Sequence, residues 1–187
     1  MLPKYPRRTD LRSAVARLRR GDIIAYPTEG VWGLGCDPQN RRAFRKILVT
    51  KRRARAKGVL LVAASASQGQ RYWLSGDPLV LDPAQFWPGT TLVLPVSRLC
   101  PAWIRGKQSG VAIRVSDHPA IRTICRQFGG AIVSTSANPA GLRPPRTLRT
   151  LRRYFPSRSV WVLPARPGKK RHPSRILDAR NGKILRS

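Results

Sequence analysis

Acidic side chains are scarce in this chain. Its 187 residues hold eight Asp and Glu against 37 Lys and Arg, for a formal net charge of +29. Only one of the eight is a glutamate, Glu29. So few carboxylates exclude a surface balanced by ion pairs, and they leave no obvious all-protein cage for a hard cation. Cysteine is sparse as well: Cys36, Cys100 and Cys125 are scattered, odd in number and without a C-x-x-C pair. Neither a zinc site nor a disulfide framework is indicated, and a reducing, cytoplasmic setting is the expectation. Long apolar runs are missing too. The longest, Val59 to Ala64, is far too short to span a bilayer, and residues 1–8 lack the apolar core of a signal peptide, so no membrane association is expected.

What is present is arginine. A field of this sign attracts polyanions, and tRNA or another RNA is the first partner to consider. The arginines are spread along the whole length instead of forming one block, and composition bias alone can put arginine on solvated faces without a dedicated site. A 41% hydrophobic share with five Trp argues against disorder. The length suits a single domain over residues 1–187 with a real core.

Periodicity predicts alternating helices and strands. A first helix, capped by Thr9 or Asp10, places Leu11, Ala14, Val15 and Leu18 on one face. Residues 23–26 form a strand that opens into the glycine loop Gly30-x-x-Gly33-x-Gly35. A second helix capped by Asn40 follows, then a strand over 59–63. Residues 65–86 read as helical in two pieces, broken near 76–78. Strands at 91–96 and 111–115 precede a helix from His118-Pro119 to Phe128, closed by Gly129-Gly130. A short strand at 131–133 runs into Ser134-Thr135-Ser136-Ala137-Asn138. A basic helix at 147–154 and a strand at 160–163 come next. Residues 166–172 read as a mobile loop, and Asn181-Gly182 marks a closing hairpin. The fold class is α/β: a twisted mixed sheet with flanking helices.

Taken one at a time, the candidate chemical signals have ordinary explanations. The glycine loop has neither the dinucleotide spacing nor a Walker A pattern, and it can be a plain tight turn. Lys51 and Arg53 near a helix end are favoured by the helix dipole alone, by roughly 0.3–1 kcal/mol. Arg114 is different. Inside the strand it alternates with Ile113 and Val115, so it must face solvent or hold an anion. Ser134, Ser136 and Asn138 can line a pocket or form a turn. Asp117-His118 with a serine does not make a hydrolase triad, because adjacent residues cannot supply the orienting geometry and no G-x-S-x-G elbow exists.

The order of these segments is more specific than any one of them. Pro27-Thr28-Glu29 with Gly33-Leu34-Gly35, Lys51-x-Arg53 and Trp87-Pro88-Gly89-x-Thr91 occur in that order. Then come Val111 to Val115 with Asp117-His118-Pro119, Ser134-Thr135-Ser136-Ala137-Asn138, and Pro173-Ser174. The set resembles the threonylcarbamoyl-AMP synthase family of the YrdC type, in its short single-domain form, from about residue 8 to 187.

That resemblance implies a sheet around a concave basic cavity. It implies synthesis of L-threonylcarbamoyladenylate and pyrophosphate from L-threonine, bicarbonate and ATP, with magnesium on the phosphates. Threonylcarbamoyl-transfer proteins would then pass the group to tRNA. By similarity, Lys51 and Arg53 would be catalytic. Arg53, Lys57, Ser136, Asn138 and Arg186 would bind ATP, and Thr28, Arg114, Ser134 and Ser174 would bind threonine. No protein-held metal is implied. Gly30, Ala54, Ala140, Arg175 and Trp32 depart from the usual family residues; Gly30 and Ala140 each remove a hydroxyl. A non-catalytic module binding double-stranded RNA or tRNA on the same fold is the alternative.

Overall fold

The computed structural model describes residues 2–76, 80–156, 159–170 and 172–186. Helix α1 (Arg8–Arg19) buries Ala14, Val15 and Leu18 as its spacing requires. Its cap is Arg7, not Thr9 or Asp10. Asp10 lies in the first turn and accepts the Arg7 backbone N–H at 3.0 Å, where its charge suits the helix N-terminus. Gly21, at a φ of 79°, turns the chain toward β1 (Ile24–Pro27), which folds back antiparallel on β2 (Trp32–Gly35). Helix α2 (Arg41–Lys51) starts where the Asn40 side chain accepts the Ala43 N–H at 2.9 Å, and it buries Ala43, Phe44, Ile47 and Leu48.

Strand β3 (Leu60–Ala63) follows. Among the described residues of 65–86 the expected pair of helices is not found. The described part holds the short helix α3 (Ala66–Gly69), single 3-10 turns at Gln70–Tyr72 and Pro83–Gln85, and a bridge from Trp73 to Val96. The proposed break at 77–78 lies outside the described residues. Repeated Gly, Pro and Ser supply turns there but no apolar stripe to hold a longer helix.

Strand β4 (Thr91–Pro95), the short helix α4 (Ala102–Arg105) and β5 (Gly110–Val115) come next, then α5 (Pro119–Phe128) closed by Gly129 in the left-handed region. Strand β6 spans Ile132–Ser136, so Ser134 and Ser136 sit within it, not after it. Helix α6 (Leu148–Tyr154) is capped by Thr147. Strand β7 (Trp161–Val162) and the hairpin of β8 (Ile176–Asp178) with β9 (Ile184–Arg186) complete the chain.

The nine strands form one mixed sheet in the order β7-β1-β2-β6-β3-β5-β4-β8-β9. One face sends Ala25, Leu34, Leu61, Ile113 and Val133 into a core shared with α2. The other sends Ile24, Tyr26, Val62 and Ile132 against α1 and α5. Those two helices stop short. Arg114 pairs with Val62 and Thr91, and Leu60 with Ala112 and Ser134, so these positions share the face that α1 and α5 cover elsewhere. The uncovered stretch is the floor of a cavity.

Close strand approach depends on Gly35, where an added Cβ would meet the Val133 carbonyl oxygen at 2.6 Å and Tyr26 Cε1 at 2.7 Å. Gly35→Ala is therefore expected to lower unfolding stability by about 1–3 kcal/mol, read as a lower denaturant midpoint at unchanged m-value.

Candidate active site

The cavity has a volume of about 890 Å³, within the range of small-molecule sites. The sheet face supplies its floor through Leu60, Thr91, Val93, Ala112, Arg114, Ser134 and Ser136. Cations line it: Arg53, Lys57, Arg105, Arg114, Arg143, Arg146, Lys170 and Arg186. Among the described residues one carboxylate does so, that of Glu29. Of the residues singled out from the sequence, Thr28, Arg53, Lys57, Arg114, Ser134, Ser136, Ser174 and Arg186 all reach this one space.

Arg114 and Glu29 form an ion pair at 3.1 Å, with side chains only 10% and 14% exposed. The buried hydroxyl of Ser116 donates to the same Glu29 oxygen, Oε1, at 2.6 Å. That hydroxyl oxygen in turn accepts the backbone N–H of His118 at 3.1 Å. Arg114 Nε is buried without a hydrogen-bond partner among the described residues. His118 titrates below its usual range because burial outweighs the nearby Glu29 and Asp117 charges.

The other cations are held chiefly by carbonyls. Arg53 donates through Nε and Nη2 to the Gly58 carbonyl, at 3.2 and 2.8 Å. Arg186 donates to the Ser174 carbonyl at 2.9 Å, and Thr91 and Ser174 share a hydroxyl contact at 3.0 Å. Burial lowers the pKa of both Arg53 and Arg186, the latter also through Arg114. A carbonyl fixes a guanidinium without cancelling its charge, so the field inside the cavity stays positive.

Lys51 and Asn138 do not line this space. They lie in a small adjoining cavity of about 140 Å³ shared with Arg53, Lys57 and Ser136. The Lys51 ammonium donates to the Ser136 carbonyl, and to that of Asn138 at 2.6 Å. Burial, with Arg53 nearby, pulls its pKa down to about 8. Asn138 uses its side-chain N–H groups on the Pro139 and Leu142 carbonyls, while its buried Oδ1 has no partner among the described residues. Thr28 is also engaged: its hydroxyl donates to the Val31 carbonyl at 2.8 Å and shapes the turn.

The expected mobile loop is tied down along its described part. Gly168 N–H donates to the Thr28 carbonyl at 2.8 Å, Lys170 N–H to that of Glu29 at 2.9 Å, and Arg146 to the Lys170 carbonyl at 3.2 Å. A Cβ on Gly30 would run into the Lys170 carbonyl, and one on Gly168 into the Glu29 carbonyl. Gly30 thus has a packing reason, because the space a threonine side chain would need is filled by main chain. Among the described residues no three His, Cys, Asp or Glu gather as a metal site. The three thiols are free and buried, and burial raises each pKa, to about 12 for Cys125.

The family model named Sua5/YciO/YrdC, described as "Telomere recombination", matches residues 16–187. The chain belongs to that family. It is 47% identical over 182 residues to a threonylcarbamoyl-AMP synthase of Marinobacter nauticus, covering 94% of this chain and 95% of that protein. It is also 47% identical over 178 residues to a threonylcarbamoyl-AMP synthase of Methylococcus capsulatus, covering 94% and 96%. Among solved structures, Sua5 of P. abyssi complexed with L-threonine superposes with a TM-score of 0.85 at 26% identity. This chain spans about half of that one, with 94% of its own length covered. E. coli YciO, at 19% identity and a TM-score of 0.82, shares the fold.

Sequence reasoning gave no role to Glu29, Arg105, Arg143, Arg146 or Lys170. The arginines were lost in a uniformly basic background. Glu29 stood out as the sole glutamate, but nothing local tied this residue of the β1–β2 turn to Arg114, 85 positions away in β5.

Lys51 generates a pH prediction. Its folded pKa of about 8 lies below the unfolded value of 10.5, so the unfolded state binds more protons between them. Its contribution to stability therefore rises as pH climbs through that window. Lys51→Met should be less stable than wild type, by about 1–3 kcal/mol for each carbonyl left unpaired. That deficit should widen from pH 8 to 10.5. Denaturant titrations of both proteins across that range check the sign.

Proposed function

We propose that this chain is a threonylcarbamoyl-AMP synthase whose residues 8–187 act as one catalytic unit. L-threonine, bicarbonate and ATP are converted to L-threonylcarbamoyladenylate and pyrophosphate. The observation that carries the reading is the meeting of Arg53 and Arg114, from separate parts of the chain, in one basic cavity. The curated relatives carry that enzyme name over nearly their whole length, and the P. abyssi structure is complexed with L-threonine.

The chemistry asks for positioning and charge cancellation more than for a protein nucleophile. The threonine nitrogen first takes up carbon from bicarbonate. A carbamate oxygen then attacks the α-phosphorus of ATP, and the bond to the β-phosphate oxygen breaks. Arg114 grips the threonine carboxylate, and Ser134 and Ser174 border the same end. Thr28 serves through the turn it braces. Arg53, Lys57 and Arg186 meet the phosphates, with Ser136 beside them. Lys51 acts as a positioning residue: by holding the Ser136 and Asn138 carbonyls it fixes the end of β6. Magnesium enters with ATP as part of the substrate. Glu29, the one carboxylate lining the cavity among the described residues, already has one oxygen engaged by Arg114 and Ser116, so this donor set does not suit a protein-built cage.

The product would pass to threonylcarbamoyl-transfer proteins and on to tRNA in the cytoplasm. No helix among the described residues is long and apolar enough to cross a membrane. The alternative, an RNA-binding module without catalysis, is favoured by the net charge and by exposed Arg41, Arg42 and Arg45 on α2. It expects RNA affinity that falls steeply with salt whether or not ATP and threonine are present.

Pyrophosphate release measured with threonine, bicarbonate and ATP separates the two. The synthase reading expects release dependent on all three, reduced about 10²–10³-fold by Arg53→Ala. Absence of release under conditions where a relative is active contradicts it.

A further inference from the structure

Among the described residues, Glu29 is the one carboxylate lining the cavity, beside eight cations. Ion pairing with Arg114 explains one of its oxygens only. Oε1 takes both the Arg114 contact and the Ser116 hydroxyl. Among the described residues no hydrogen bond reaches Oε2. Ser116 is completely buried, and with its oxygen also accepting the His118 N–H it acts as a bolt that sets the plane of the carboxylate. Next to this carboxylate, Arg114 keeps a buried donor without a partner. A guanidinium lining the cavity beside an open carboxylate oxygen is complementary to a zwitterion, whose carboxylate and ammonium are separated by a single carbon. An ammonium entering a cavity of this sign would otherwise be repelled and stripped of water with nothing in return.

We propose that Glu29 binds the α-ammonium of the amino-acid substrate and accepts its proton before the nitrogen is carboxylated. The inference rests on the synthase reading and assigns a catalytic group within it. The proton moves from the ammonium to Glu29, which frees the nitrogen lone pair. The amine forms the C–N bond with the carbon of bicarbonate, which loses an oxygen as water built from its own hydroxyl and the second amine proton. Carbamate remains, and Glu29 returns its proton to solvent. The charged and titratable groups around Glu29 are Arg114 on β5, Tyr26 on β1, and Asp117 and His118 before α5. Lys170 and Arg146 lie on the loop side.

The test compares L-threonine with its analogue bearing an α-hydroxyl in place of the α-ammonium, 2,3-dihydroxybutanoate, by calorimetry on the full chain. Wild type should bind threonine at least about tenfold more tightly. Glu29→Gln should lose at least about tenfold in threonine affinity while the analogue changes by less than about threefold. Pyrophosphate release by Glu29→Gln should rise roughly tenfold per pH unit toward the pKa of the free amine, because solution then supplies the deprotonated nitrogen. Wild type should rise far less over that range. Equal binding of the two ligands to wild type overturns the proposal, even if Glu29→Gln fails to fold. Parallel loss of both ligands in a folded Glu29→Gln also overturns it, since that marks a role confined to holding Arg114. If wild-type protein shows no threonine-dependent pyrophosphate release, it is the synthase reading that fails.

Discussion

Cations crowded around a hollow must be held by something, and here carboxylates are too few to do it. Main-chain carbonyls take their place. Lys51 is held by Ser136 and Asn138 where β6 ends, Arg53 by Gly58, Arg146 by Lys170 and Arg186 by Ser174. A carbonyl fixes direction through a partial charge and leaves the cation's field nearly intact. Partnering each with a glutamate would have given the same geometry and a neutral pocket. The positive field is therefore a consequence of what does the holding, and it suits a triphosphate whose charge must be offset during attack at phosphorus.

The location of that field follows from strand alternation. A single face of the sheet is covered by α1 and α5 over Ile24, Tyr26, Val62 and Ile132. Beyond the helices the same face carries Arg114, Ser134, Ser136 and Thr91. Period-two geometry thus turns one apolar face into a functional one without a second domain. The Gly30 and Gly168 main chains close one side, where backbone meets backbone too tightly for side chains.

Much of this was legible from the sequence wherever the signal was local. The Asn40 cap, the apolar stripe of α2, the Gly129 stop and the hairpin around Asn181-Gly182 are all set by neighbouring residues. Arg114 stood out because a strand alternation that buries Ile113 and Val115 leaves the charge between them either to face solvent or to hold an anion. What failed was long-range or compensated. Residues 65–86 carry turn formers whose order comes from tertiary contacts, such as the Trp73 bridge to Val96. The loop at 166–172 looked mobile from its Pro, Gly and Lys content, yet its main chain is paired to Thr28 and Glu29. Nothing in the sequence signalled the main-chain hydrogen bonds that Lys51 and Asn138 make. No sequence pattern separates a lysine that meets a ligand from one that meets carbonyls.

The account stands on Arg53 and Arg114 acting on one bound set of reactants. A crystal structure with threonine and a non-hydrolysable ATP analogue tests this most directly. The expected result is the threonine carboxylate on Arg114 and the polyphosphate against Arg53, within contact distance of each other in the same cavity. A nucleotide bound elsewhere on the basic surface, with Arg53 facing no phosphate, would contradict it.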